Sequence, residues 1–113
     1  MPRISRLFIA VCAVSFASAV DAACPYPQRV AIPDGATATT EQLVDAQSLI
    51  KKYMTEMESY LECLDREESE LGREPTADEL QMHTQRHNAA VDEMEKVAAD
   101  FNEQVRAYKK QNR

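Results

Sequence analysis

Apolar and polar positions recur with helical period along most of this chain. Leu43, Ala46, Ile50, Tyr53, Met57, Tyr60 and Leu64 follow one another in steps of three and four, the seam of a coiled-coil-like helix. The seam meets a polar interruption at Glu67 and closes at Leu71, beside Gly72. A second stripe of Leu80, Thr84, His87, Val91, Met94, Ala98, Phe101, Val105 and Tyr108 keeps the same alternation. The pattern predicts two long helices, at 40–71 and 77–111, joined by a turn at 72–76.

Start and stop signals agree with that division. Thr39 with Gln42, and Thr76 with Glu79, are capping boxes, in which each side chain satisfies a backbone donor that the first turn leaves unpaired. Gly72 is placed to end the first helix in a left-handed conformation, and Pro75 blocks its continuation. So short a turn makes the helices antiparallel neighbours. Facing positions then sum to about 148, which sets Ile50 opposite Ala98, Met57 opposite Val91, Leu43 opposite Val105, and His87 beside Tyr60 and Leu61.

Residues 23–39 read differently. Pro25, Pro27 and Pro33 favour an extended arm, Pro33-Asp34-Gly35 a turn, and Tyr26, Val30 and Ile32 share the parity of one apolar edge. Residues 1–22 have the layout of a secretory signal peptide: Arg3 and Arg6, an apolar run from Leu7 to Ala19, then small residues with A-x-A-like sites. Its removal takes away Cys12 and leaves Cys24 and Cys63 as a lone pair, which in an oxidising compartment predicts a disulfide. The arm is long enough to run back along the first helix and bring the two together. Cys24 has a second possible fate. Small residues precede it, but Asp21 stands where a lipid-attachment box wants an aliphatic residue, and a lipid there would exclude the disulfide.

The fold class that emerges is all-α: a long antiparallel helical hairpin with an extended N-terminal arm clamped by one disulfide. Net charge is −6, and loss of Arg3, Arg6 and Asp21 with the signal makes it −7. That balance argues against nucleic acid and against adsorption to anionic membranes. Charge is also uneven. Ten acidic residues lie between Glu56 and Glu79, opposed only by Arg66 and Arg73, whereas Arg106, Lys109, Lys110 and Arg113 mark the far end. The hairpin is thus acidic at its hinge and basic at its open end.

The string CPYPQRVAIPDGATATTEQLVDAQ, then YLECL, then RHNAAVDEMEKVAADFNEQVRAYK, resembles a family of small exported proteobacterial proteins of unknown function. The resemblance covers the mature chain and implies export to a Gram-negative periplasm. It brings no functional residues with it.

Candidate chemistry is sparse. His83 and His87, at i and i+4, face one side of a helix, and the register brings Glu62 and Asp65 near enough to complete a Zn²⁺ or Cu²⁺ sphere. The competing reading packs His87 in the seam and leaves His83 solvated, with no metal or other cofactor. Nothing in the sequence resembles a catalytic constellation or a phosphate loop, so the chain is not expected to be an enzyme. The expectation is a periplasmic binding or structural module without membrane insertion, with a metal-binding protein as the alternative. Leu49, Met54, Leu61, Met82 and Val97 lie off the seam and invite self-association. An antiparallel homodimer would set each acidic hinge beside the partner copy's basic end.

Overall fold

The computed structural model describes residues 24–112; the expected signal peptide at 1–22 lies outside them. Helix α1 spans Thr40–Ser69, 30 residues, and α2 spans Ala77–Gln111, 35 residues. Among the described residues these are the two regular elements, and neither is long and apolar enough to cross a membrane. Both capping boxes form. The Gln42 amide donates to Thr39 Oγ1 at 3.1 Å while Gln42 Oε1 accepts from the Thr39 amide at 2.9 Å. Thr76 and Glu79 repeat the exchange at 3.2 and 3.1 Å.

α1 stops two residues before the expected position. Glu70 is its cap, and Gly72, with φ 68°, supplies the reversal further on. Ser69 Oγ donates to the Arg66 carbonyl at 2.9 Å, an alternative to continued helix, and glutamates at 67, 68 and 70 oppose the negative end of the helix dipole.

The hairpin is antiparallel, and its register is visible at both ends. The Thr40 and Tyr108 hydroxyls meet near the open end, and Asp65 meets His83 near the hinge. The α1 seam is the core: Leu43, Ala46, Ile50, Tyr53, Met57, Tyr60 and Leu64 are all buried. The α2 seam differs from expectation. Ala90 and Val97 are its fully buried residues, whereas Leu80, Thr84 and His87 are exposed and Val91, Ala98 and Val105 are half-buried. Helix α2 is therefore turned by less than one residue, under roughly 100°, since Met94 and Phe101 of the expected stripe still pack against the core. Val97, expected on the surface, is interior, and His87 does not pack beside Tyr60.

The arm causes this rotation, because α2 packs against two bodies. Arg29 Nε reaches Glu93 at 3.1 Å and Arg29 Nη2 reaches Asp100 at 3.0 Å, with Lys96 also on Asp100 at 3.3 Å. The Gly35 amide donates to Gln104 Oε1 at 2.9 Å. These α2 residues lie on the same side of the helix as Val97, so the strip between α1 and the arm, not the strip facing α1 alone, is the one buried. Val30 and Ile32 pack against the core, and Tyr26 sets its ring edge-on to Tyr60 at 5.1 Å between centroids while remaining half exposed.

Two devices fix the arm. The Cys24–Cys63 disulfide, with Cα atoms 5.7 Å apart, ties its start to α1. At its end, Asp34 accepts from the Thr37 and Ala38 amides through its carbonyl, at 3.1 and 2.9 Å, and from the Ala36 amide through Oδ1 at 2.9 Å. This turn delivers the chain to the α1 N-cap.

Candidate functional site

Where the helices separate at the hinge, they leave an open cleft of about 170 Å³. Its apolar walls are Leu64 and Leu71 of the α1 end, Pro75 of the turn, and Met82 of α2. Leu64 is buried, but Met82 is 50 % exposed, so the cleft presents unsatisfied apolar surface to solvent. The reason is local. The turn needs Gly72 and Pro75 to reverse the chain, and neither can fill the space between the diverging helix ends.

Charged side chains form the rim. His83 is bracketed, with Nε2 3.2 Å from Asp65 Oδ1 and Nδ1 3.3 Å from Glu68 Oε2. Arg86 approaches Glu67 at 3.9 Å. Arg73 grips Glu79 with both terminal nitrogens, at 2.7 and 3.2 Å. That hydrogen bond, followed by the Thr76 cap, draws the Glu79 carboxyl down to about 2, and Glu79 in turn raises Arg73. Glu79 therefore serves the turn and the helix start together.

Other hinge acids are free. Glu58, Glu62, Glu70, Glu74 and Asp78 are exposed and have no ion pair among the described residues. At the opposite end Arg106, Lys109 and Lys110 are likewise exposed and unpaired among the described residues. The field of the molecule thus runs from a negative hinge to a positive open end.

Of the four residues expected near one another for a metal, two meet. His83 and Asp65 are in contact, whereas Glu62 and His87 project to solvent. The two carboxylates at His83 sit on opposite ring nitrogens, and one ion cannot lie between both pairs. Among the described residues the one cluster with three ligand atoms mutually within 4.8 Å is Cys24, Cys63 and Glu67, whose sulfurs are joined to each other. Sequence reasoning missed the partnership of His83 with Glu68 and the entire apolar cleft; Leu71 and Met82, left without seam partners on either side of the turn, were its signal.

Comparison of this chain with protein-family models, curated proteins and solved structures found no match.

Proposed function

We propose that the chain is an exported, disulfide-clamped hairpin that acts in the Gram-negative periplasm as a protein-docking module, engaging partners at its hinge and a second copy of itself along its length. The hinge cleft carries the first part: apolar walls open to solvent inside an acidic rim fit an apolar anchor flanked by lysine or arginine. The disulfide and the family resemblance support export, since a lone cysteine pair persists as a disulfide in an oxidising compartment.

A photo-crosslinking residue in place of Met82, tested in the native envelope, checks the reading. Adducts from position 82 that weaken in Glu67→Gln and Glu74→Gln chains, with no adducts from the distant position 103, are the expected result. Equal labelling at 82 and 103 overturns it. The metal-binding alternative has the His83–Asp65 contact in its favour. Calorimetric titration with Zn²⁺ separates the two, because only the metal reading expects stoichiometric binding that His83→Ala abolishes.

A further inference from the structure

The hairpin has two long grooves, and the arm covers one. Leu49, Lys52 and Glu56 of α1 lie beside the arm, as do Glu93, Asp100 and Gln104 of α2. On the opposite flank α1 turns Met54 and Leu61 outward, each the residue after a buried tyrosine, and α2 turns Val91, Ala98 and Val105 outward, each following a position that faces inward. All five are half-buried, Met54 and Leu61 resting partly on the core, and they form an apolar strip interrupted by exposed Lys51 and Glu58.

We propose that a second copy of the chain covers this strip, with the two rods antiparallel about a two-fold axis that crosses the groove between Met54 and Met94. The inference rests on the self-association reading above and assigns it a face and a register. The strip is self-complementary about that axis. In α1, Lys51 precedes Met54 by three residues and Glu58 follows it by four; in α2, Val91 and Ala98 are spaced identically about Met94. The hairpin register shown by Thr40 with Tyr108 and Asp65 with His83 sets Met54 and Met94 across the groove from one another, so one axis serves both helices. A half-turn about it brings Lys51 to Glu58 of the other copy twice over, and Val91 to Ala98, a larger side chain to a smaller.

The same rotation lays each acidic hinge over the other copy's open end, with Lys109 and Arg106. A parallel arrangement would crowd the two acidic hinges together, the unpaired Glu62 and Glu58 among them, and lose both Lys51–Glu58 contacts. Size is sufficient as well. Two helices some 45 Å long and 8–10 Å apart offer a face of roughly 800 Å², the scale of a standard interface on one partner.

Sedimentation of the oxidised exported protein tests the proposal, using charge changes at exposed positions that leave the hairpin core intact. The wild type is expected to dimerise reversibly. K51E is expected to weaken the dimer by about tenfold, because the reversed pair occurs twice, and K51E/E58K to restore it. Circular dichroism accompanies each variant to confirm unchanged helix content. A monomer at every concentration overturns both this assignment and the self-association reading. A dimer that ignores K51E, or that K51E/E58K fails to restore, overturns the face and register alone.

Discussion

Gly35 and Gln104 are in backbone contact between the arm and α2. A Cβ placed on Gly35 would fall 2.7 Å from the Gln104 carbonyl carbon and still closer to its oxygen, and both are fixed main-chain atoms in mid-helix. The glycine is needed here for proximity, not for an unusual φ. Gly35→Ala should therefore lift the arm's end from α2, break the Gly35–Gln104 hydrogen bond, and cost about 1–3 kcal/mol as overpacking does. Chemical denaturation gives the loss. Amide exchange should place it at 34–37 and around 104, with α1 amides unaffected.

The rotation of α2 makes a second prediction. Ala90→Leu adds volume where Ala90 has no exposure and should cost about 1–3 kcal/mol, whereas His87→Ala should stay within about 0.5 kcal/mol. Had α2 packed on its heptad stripe, the order would reverse. Melting temperatures of the two variants decide between these orientations.

Tyr53 leads to a third. It is 2 % exposed, and its hydroxyl has no hydrogen-bond partner among the described groups. Burial, then the neighbouring Tyr26 and Glu93, push its ionisation above the ordinary phenol range, outweighing nearby Arg29. Removing an unpaired buried hydroxyl relieves its desolvation cost, so Tyr53→Phe should be neutral or stabilise by up to about 1 kcal/mol. Thermal unfolding at neutral pH checks it.

Acid should act at the hinge. The Glu79 carboxyl lies at about 2 against an ordinary 4.5, so in the window between those values the unfolded chain binds more protons than the folded one. Glu79 thus contributes its stability above 4.5 and loses it as pH falls through about 2. The effect is modest, because the Arg73–Glu79 pair faces solvent. Glu79→Gln keeps the capping box, as Gln42 does in α1, but loses the charge. Its melting temperature should lie below wild type at neutral pH, the two curves converging as pH falls towards 2.

Much of this was legible in the sequence because local rules decided it. The α1 seam, both capping boxes and the acidic hinge follow from spacing and residue type alone, and the Cys24–Cys63 pairing from the expected loss of Cys12 with the signal segment. The face of α2 did not, because a heptad stripe assumes one partner and α2 has two. Arg29 in the arm, matched by acids seven apart at 93 and 100, and Ala90, Val97 and Gln104 at the same interval, were the signals that a third body had to be seated. The cleft was harder to foresee. It arises from what Gly72 and Pro75 leave unfilled, and periodicity describes only what is filled.

The disulfide also divides the molecule into parts of different connectivity. With residue 24 bonded to residue 63, the arm and most of α1 form a closed ring, and everything beyond residue 63 is a tail folded back along it. The ring keeps its topology whatever the tail does. Helix α2 is held by noncovalent contacts, so a force or a competing partner acting near residue 111 peels it away progressively, releasing Gln104 from Gly35 before Val97 and Ala90 leave the core. Reduction of the disulfide frees the start of the arm at Cys24 instead. The hairpin can thus be unzipped from one end mechanically and from the other chemically, and the two routes expose different surfaces.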